Sequence, residues 1–210
     1  MTDFYLIRHG QTAANAAGLK QGIINTEITK LNKLGIKQVE SLQAVFDISF
    51  ANQIIASPLD RTQHTANILN KSAMLPFTTD ERLLEISYGS WDGRPNQELE
   101  KAYPQVFDRT LHDVLPTYVT IASDGETFEM VMKRIQTLLL ELTKKYPTQK
   151  IILVTHGFTI KAATLVCLAM TNKLMTLPEP NNASVTKISV NPQTKEAYLW
   201  YYNQNANNQF

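Results

Sequence analysis

Two apolar runs in the sequence are each followed by a histidine and a glycine. Residues 4–7 lead into His9, and residues 151–154 lead into His156. Short apolar runs that are rich in β-branched and aromatic residues and stop near a glycine are typical of buried strands in a parallel sheet. Because ligands bind outside the carboxyl ends of such strands, two neighbouring strands of this kind bring both imidazoles to one crevice.

The composition is that of a globular chain with a substantial core. It has 210 residues, 43% hydrophobic and 19% charged, which excludes disordered and fibrous classes. The formal net charge of +1 provides no overall field for nucleic acid or a membrane surface. No apolar run has the length of a membrane span and no signal sequence precedes the first strand, so a cytoplasmic location is expected. The single cysteine, Cys167, is expected to be a buried, inert thiol.

The remaining patterns predict strands that alternate with helices, which indicates an α/β fold. Further strands are predicted at residues 53–56, 185–190 and 197–202, before a polar tail that frays from Asn203. A helix is also predicted at residues 158–168. Apolar stripes predict two more helices, with Leu34, Leu42, Val45 and Phe46 in one capped by Asn32, and Phe128, Val131, Ile135, Leu138, Leu139 and Leu142 in one capped by Thr127.

A third basic residue is predicted near the same crevice. Ser57 as the N-cap and a proline at the first helical position predict a helix that begins directly after the strand at 53–56, with Arg61 in its first turn. A polar, glycine-containing loop at residues 18–27 has no clear period. We expect it to lie over the same end of the sheet, where loops usually contact ligands.

The chemistry that suits this crevice is phosphoryl binding. Arg8 adjoins His9 at the turn, and burying both without an anionic partner would be costly. Arginine forks match phosphate oxygens, and imidazole is a competent nucleophile toward phosphorus. No metal is expected, because metal-ligand spacings are missing and two arginines repel a divalent cation. His64 and His112 lack partners at useful spacings and are expected to be exposed.

Six motifs follow one another along nearly the whole chain. They are Leu-Ile-Arg-His-Gly-Gln-Thr at 6–12 with Asn15, Leu-Asn-Lys-Leu-Gly-Ile-Lys-Gln at 31–38, Ser-Pro-Leu-Asp-Arg-Thr at 57–62, Leu-Leu-Glu at 83–85 with Tyr-Gly at 88–89 and Trp-Asp-Gly at 91–93, Gly-Glu-Thr at 125–127, and Val-Thr-His-Gly at 154–157. Together they resemble the motifs of the histidine phosphatase superfamily, the phosphoglycerate-mutase-like phosphatases. Asn32 stands where that family has a capping Thr.

The resemblance implies a fold and an organisation. The fold is a three-layer α/β/α sandwich with a mostly parallel central sheet, of the phosphoglycerate mutase-like kind. Residues 1–210 are expected to form one histidine phosphatase domain. Residues 94–124, which are only weakly periodic, are expected to be a lid or insertion with short helical pieces at 98–103 and 105–111.

The resemblance also implies a role for each site residue. His9 attacks phosphorus and carries the phosphoryl group as a covalent phosphohistidine, and Glu85 is the general acid and base. Arg8, Arg61 and His156 also stabilise charge in the transition state. The implied phosphate ligands are Arg8, Asn15, Gln21, Gly22, Arg61, His156 and Gly157. No metal or other cofactor is required, the partner is a small-molecule phosphate ester, and a homodimer is left open.

Three functions are compatible with these residues. A phosphomonoesterase of the histidine acid phosphatase type is favoured over a cofactor-dependent phosphoglycerate mutase, because mutases follow Tyr-Gly with Leu-Thr-Gly-Leu-Asn-Lys and carry an Arg-Arg pair. This chain has Ser-Trp-Asp-Gly-Arg-Pro at 90–95 and no Arg-Arg pair. The third function is a non-catalytic phospholigand-binding protein.

The expected lid carries little positive charge, which indicates a substrate of modest charge. Arg94, Arg109 and Lys20 are available to bind a second anionic group, and three aromatic residues of the same segment also indicate a substrate of modest charge. They are Tyr103, Phe107 and Tyr118.

Overall fold

The centre of the molecule is a six-stranded sheet with helices on both faces. The computed structural model describes residues 1–170 and 177–207. The strands are β1 (Thr2–Arg8), β2 (Gln53–Ala56), β3 (Phe77–Thr79), β4 (Lys150–Thr155), β5 (Val185–Val190) and β6 (Ala197–Gln204). The α-helices are α1 (Ala13–Ala16), α2 (Lys33–Val45), α3 (Asp60–Ala73), α4 (Asn96–Ala102), α5 (Phe128–Lys145) and α6 (Gly157–Cys167). Short 3₁₀ turns lie at Glu27–Thr29, Ile48–Phe50, Glu81–Leu83, Gly89–Trp91, Pro104–Val106 and Pro116–Thr120.

The strand order of the sheet is β3-β2-β4-β1-β5-β6. Strands β1 to β4 pair in parallel, whereas β5 is antiparallel to both of its neighbours, β1 and β6. The prediction of an α/β fold with a mostly parallel central sheet is therefore confirmed. The strands that precede His9 and His156 are direct neighbours, with Arg8 of β1 opposite Thr155 of β4. This pairing puts both histidines at one edge of the sheet.

The two faces of the sheet carry separate apolar cores. Alternate residues of β1 point to opposite faces, so Phe4 and Leu6 pack on one side and Tyr5 and Ile7 on the other. Helices α5 and α6 cover the first side, and α2 and α3 cover the second. These layers are the predicted three-layer α/β/α sandwich.

One strand was not predicted, and one is longer than expected. Strand β3 has three residues, of which two are threonines, and it lies exposed at the edge of the sheet beside β2. A segment this short and polar lacks the apolar alternation that indicates a strand. Strand β6 continues to Gln204, past the expected start of the frayed tail at Asn203. Residues 208–210 of that tail lie outside the described part of the chain.

The predicted stripe of α5 is confirmed, whereas that of α2 is partly wrong. All the predicted apolar residues of α5 are buried, and the Thr127 side chain caps this helix. Asn32 caps α2 by accepting from the Gly35 amide at 2.8 Å. However, Leu34 and Val45 are 51% and 53% exposed, because the buried face follows Gly35, Val39 and Leu42. Leu34 precedes the buried Gly35 and Val45 precedes the buried Phe46. A shift of one residue turns a side chain about 100° around the helix, away from the buried face.

The start of α3 differs from the prediction, although Arg61 lies in its first turn as expected. The helix begins at Asp60, and Leu59 is at the N-cap position in place of Ser57. The Ser57 hydroxyl is 2.8 Å from Nε2 of His156, the residue that follows β4, so it is engaged there and does not cap α3.

Residues 94–124 pack around a buried tryptophan. Helix α4 matches the first predicted helical piece, but the second is wrong, because a 3₁₀ turn gives way to a bridge between Phe107 and Val114. The rings of Tyr103, Phe107 and Tyr118 lie 5.5, 6.1 and 5.9 Å from that of Trp91. These aromatic residues therefore form core, and they do not line the cavity described below.

Helix α6 is buried along most of its length and ends at Cys167. This cysteine is half-buried, and burial raises the pKa of its thiol to about 11, which keeps the thiol protonated. Within residues 1–170 and 177–207, none of the helices combines the length and apolar character of a membrane span.

Candidate active site

A cavity of about 290 Å³ lies where β1, β2 and β4 end. All but two of the predicted site residues line it; the exceptions are His156 and Gly157. We call the part that contains Arg8, His9, Arg61 and Glu85 the phosphoryl part. The part that contains Lys20, Asp113 and Lys161 is called the lysine part.

His9 is oriented by a hydrogen bond to its own turn. Its Nδ1 lies 2.8 Å from the carbonyl oxygen of Gly10. Because a carbonyl oxygen only accepts, Nδ1 carries the proton and the lone pair is on Nε2. Burial, followed by the positive charges of Arg61 and Arg8, holds the pKa of His9 well below its usual value. His9 is therefore a neutral imidazole with a free nitrogen at neutral pH.

Arg61 is buried and has a polar partner at each of its nitrogens. Its Nη1 and Nη2 donate to the carbonyl oxygens of Ile24 and Gly22 at 3.0 and 2.8 Å. Its Nε lies 3.3 Å from His156 Nδ1. Burial lowers the pKa of Arg61 to about 10, so the guanidinium stays charged at neutral pH.

His156 lies behind the cavity wall and holds Arg61. Since Arg61 donates to Nδ1, the His156 proton is on Nε2 and is donated to the Ser57 hydroxyl. The rings of His9 and His156 are 5.2 Å apart, so the two histidines are neighbours as predicted, but of the two only His9 lines the cavity. Burial and the charge of Arg61 keep the pKa of His156 well below its usual value. Its direct contact with phosphate stays a prediction.

Gly22 shapes the loop that supports Arg61. Its φ of +48° lies in the left-handed region that favours glycine, and a Cβ there would overlap the Asp92 carboxylate. Asp92 in turn accepts from the Tyr88 amide at 2.9 Å. The Gly22 carbonyl thus reaches Arg61 because only glycine fits this turn. Its predicted contact with phosphate remains untested.

Asn15 and Gln21 are oriented by the same residue, Thr12. The Thr12 amide donates to Asn15 Oδ1 at 3.1 Å, and the Thr12 hydroxyl lies 3.0 Å from Gln21 Oε1. Both side-chain carbonyl oxygens are therefore engaged. The amide NH2 groups are the ends that remain to donate to an anion in the cavity, as phosphate ligands require.

The Glu85 carboxylate lies at the N-terminus of α6. It accepts from the amides of Phe158 and Thr159 at 3.3 and 3.2 Å, and from its neighbour Ile86 at 3.1 Å. Burial, followed by the negative charge of Glu179, raises the pKa of Glu85. A carboxyl group with a raised pKa beside a phosphoryl site is a candidate for giving and taking a proton.

Sequence reasoning missed Glu179, which contacts the phosphoryl part directly. Its Oε1 lies 2.8 Å from Arg8 Nη2, and Arg8 Nη1 donates to the Pro180 carbonyl. A Cβ at Gly157 would overlap the Glu179 carboxylate, so glycine is needed at the start of α6 for this approach. Gly157 is covered in this way, and its phosphate contact stays a prediction.

The lysine part is built from paired charges. Lys20 forms an ion pair with Asp113 and lies over the ring of Tyr88, 4.8 Å from its centroid. Burial lowers the pKa of Lys161, while Asp113 and Glu179 act in the opposite direction. Of the three basic residues that were assigned to a second anionic group, Lys20 lines the cavity and Arg94 and Arg109 do not.

Comparison with known proteins decides the family. The model of the histidine phosphatase superfamily (branch 1) matches residues 4–203. This chain belongs to the histidine phosphatase superfamily. The resemblance that the six motifs indicated is therefore confirmed.

Relatives of this histidine phosphatase include named phosphatases. Over 77% of the chain it is 33% identical to the uncharacterized phosphatase PhoE of Bacillus subtilis, covering 75% of that protein. Over 77% of the chain it is 28% identical to phosphoserine phosphatase 1 of Hydrogenobacter thermophilus, covering 74% of that protein. The structure of mycobacterial glucosyl-3-phosphoglycerate phosphatase with VO3 is similar at a TM-score of 0.79 and 26% identity, covering 96% of this chain and 98% of that one.

The Gly-Glu-Thr motif of this histidine phosphatase supports the carboxyl residue. Glu126 pairs with Arg134 of α5 at 2.8 Å, and Arg134 donates to the backbone carbonyl of Glu85 at 3.1 Å. The Glu126 amide also donates to the Ser87 carbonyl at 2.7 Å. Arg134 was not predicted. The signal for it was the motif residue Glu126, which needs a basic partner and lies eight residues earlier in the chain.

The remaining histidines are exposed, as expected. His64 lies on the surface of α3, and His112 is at the cavity rim with its Nδ1 2.8 Å from Glu100 Oε1. In the part of the chain that the structure describes, no group of three or more His, Cys, Asp or Glu side chains is arranged to hold a metal ion.

Proposed function

We propose that this histidine phosphatase is a metal-independent phosphomonoesterase that hydrolyses a small-molecule phosphate ester through a covalent phosphohistidine at His9. The observation that carries the proposal is the hydrogen bond from His9 Nδ1 to the Gly10 carbonyl at 2.8 Å. It leaves Nε2 unprotonated in a cavity that also contains the guanidinium groups of Arg8 and Arg61. A nucleophile and two phosphate-binding cations therefore share one site.

In the first step, the Nε2 lone pair of His9 attacks phosphorus, and the bond from phosphorus to the ester oxygen breaks. Glu85 gives its proton to the departing alkoxide, so the alcohol leaves neutral. Arg8 and Arg61 balance the charge of the equatorial oxygens, with the amide groups of Asn15 and Gln21 as further donors.

In the second step, Glu85 is a carboxylate and takes a proton from water. The water oxygen attacks phosphorus, the phosphorus–nitrogen bond breaks, and His9 returns to its neutral form. Inorganic phosphate is released. The raised pKa of Glu85 favours the acid form that the first step needs, and ionisation of Glu85 in that step gives the base that the second step needs.

The proposal is tested by phosphate release from p-nitrophenyl phosphate and a panel of metabolite phosphates in excess EDTA. Wild type is expected to turn over, and His9→Ala is expected to retain less than about a thousandth of the rate, because it lacks the nucleophile. His64→Ala is the matched control, since His64 is an exposed histidine of α3. A His9→Ala variant with substantial turnover would rule out the covalent mechanism.

The same assay separates the two other functions. A mutase would leave the panel intact and isomerise 3-phosphoglycerate when 2,3-bisphosphoglycerate is added. A phospholigand-binding protein would bind vanadate or phosphate yet release no phosphate at any pH. The absence of an Arg-Arg pair from the sequence favours hydrolysis over the mutase reaction.

A further inference from the structure

We propose that Glu179 is a specificity-determining residue, which selects phosphate esters whose alcohol part carries no net negative charge. The inference rests on the proposed function, because the alcohol part has meaning only if an ester is cleaved at His9. It assigns a role to a side chain that lies outside all six sequence motifs.

The position of Glu179 is well suited to this role. Its carboxylate is 2.8 Å from Arg8, covers Gly157, and belongs to the lining of the cavity. The group is also one of the charges that act most strongly on Glu85, the proposed proton donor to the leaving alcohol. A charge that acts on the donor also acts on the alcohol that receives its proton.

A phosphoryl group and Glu179 both require Arg8. When a phosphoryl dianion binds, the guanidinium groups of Arg8 and Arg61 are matched by its two charges. Glu179 is then no longer paired with Arg8. The other cation of the cavity wall on which the Glu179 charge acts is Lys161. The negative charge of Glu179 is therefore balanced by the ammonium groups of the lysine part and not by Arg8.

The charged side chains around the leaving alcohol then sum to zero. Two ammonium groups, Lys20 and Lys161, face two carboxylates, Asp113 and Glu179. A second anionic group on the substrate adds a negative charge beside the Glu179 carboxylate, with no cation left for it. An uncharged or zwitterionic alcohol leaves the balance unchanged.

Three esters of nearly the same size test the idea. Glycerol 3-phosphate has an uncharged alcohol part, and 3-phosphoglycerate has a carboxylate in place of one hydroxymethyl group. Phosphoserine keeps that carboxylate and has an ammonium group in place of the remaining hydroxyl group. Wild type is expected to show a kcat/KM for 3-phosphoglycerate at least about tenfold below those for the other two esters. Phosphoserine separates net charge from the mere presence of a carboxylate.

Glu179→Gln is expected to raise kcat/KM for 3-phosphoglycerate relative to glycerol 3-phosphate by about tenfold, because it removes the like charge. Glu179→Asp keeps the charge and is expected to keep the wild-type ranking. Glu129→Gln is the matched control, since Glu129 is an exposed residue in the first turn of α5 and does not line the cavity. The ratio of two esters is insensitive to a general loss of active protein.

Two results would overturn the inference. One is a wild-type enzyme that cleaves 3-phosphoglycerate as well as glycerol 3-phosphate, and the other is a Glu179→Gln variant with an unchanged ratio. If either result is obtained while the same preparation turns over p-nitrophenyl phosphate, the proposed function holds and only the specificity claim fails. Absence of turnover with every ester would remove both claims together. Calorimetric binding of the three esters to His9→Ala must give the same ranking, and a different ranking would also overturn the inference.

Discussion

The two parts of the cavity hold their polar groups in different ways. In the phosphoryl part, side chains are bonded to backbone: His9 to the Gly10 carbonyl, Arg61 to two loop carbonyls, and Glu85 to the amides at the start of α6. In the lysine part, charged side chains are paired with one another, as in the contact of Lys20 with Asp113.

This difference separates chemistry from recognition. Backbone partners do not exchange with a ligand, so His9, Arg61 and Glu85 keep one geometry for any ester, as in-line attack requires. Ion pairs between side chains can be exchanged for ion pairs with a substrate, so the lysine part and Glu179 can rank different alcohols. Changes in the phosphoryl part should then affect all esters, and changes around the lysine part should depend on the ester.

The largest effect is expected from Arg61→Ala. The variant loses a proposed phosphate ligand and leaves the carbonyls of Gly22 and Ile24 without their Arg61 donor. We expect kcat/KM to fall by about 10³-fold or more, and by a similar factor for every ester, which steady-state kinetics on the panel will measure. Arg109→Ala, an exposed residue, is the control. A loss confined to one kind of ester would contradict the distinction between the two parts.

Trp91→Ala is expected to destabilise the segment that supports Asp113. Trp91 is 2% exposed among three aromatic rings, so its removal should lower the free energy of unfolding by about 3–5 kcal/mol in urea titrations. Trp200, which is 60% exposed on β6, is the matched control, and its replacement by Ala should cost about 1 kcal/mol or less. Equal costs for the two variants would show that residues 94–124 are not packed as described.

Glu85→Gln should distinguish leaving groups. An alkyl ester such as glycerol phosphate should lose about 10²-fold in kcat/KM, while p-nitrophenyl phosphate should lose much less, because its leaving group needs little protonation. In wild type, kcat for the alkyl ester should fall as the pH rises through the raised pKa of Glu85, since the acid form donates the proton. The variant should lack this dependence. Equal losses on both esters would argue against Glu85 as the acid.

The smallest effect concerns stability at acid pH. The unfolded chain protonates His9 near its usual pKa of about 6.5, whereas burial and two arginines keep the folded group neutral. The unfolded state therefore binds more protons below pH 6.5. The free energy of unfolding decreases as the pH is lowered through that range. In His9→Ala this pH dependence should be weaker by up to about 1.4 kcal/mol per pH unit, as unfolding at several pH values will show. An unchanged slope in His9→Ala would contradict a neutral His9 in the folded protein.

The two histidines and Arg61 were predictable because each follows a strong local signal, whereas the role of Glu85 was predicted from the family resemblance alone. His9 and His156 come after buried strands, and Arg61 comes in the first turn after another. Strand pairing then brings these ends together, which a parallel sheet does for any sequence with the same topology. The hydrogen bond between Ser57 and His156 could not be predicted, because it joins side chains from two different strand ends.

The rest of the cavity carries no such signal. Lys161 lies within an apolar helical stretch, and Glu179 lies in a proline-flanked segment without periodicity. Asp113 is brought to Lys20 by the aromatic packing of residues 94–124, which depends on contacts distant in sequence. Side chains placed by long-range packing are not visible to pattern analysis, which detects only local periodicity and caps.

The central claim is that hydrolysis proceeds through two displacements at phosphorus, with His9 as the intermediate carrier. The most direct test is the stereochemical course with a phosphorothioate ester made chiral by oxygen isotopes and cleaved in isotopically labelled water. Two in-line displacements invert the configuration twice, so the account predicts overall retention. Overall inversion would mean that water attacks the ester directly, and it would contradict a phosphohistidine intermediate.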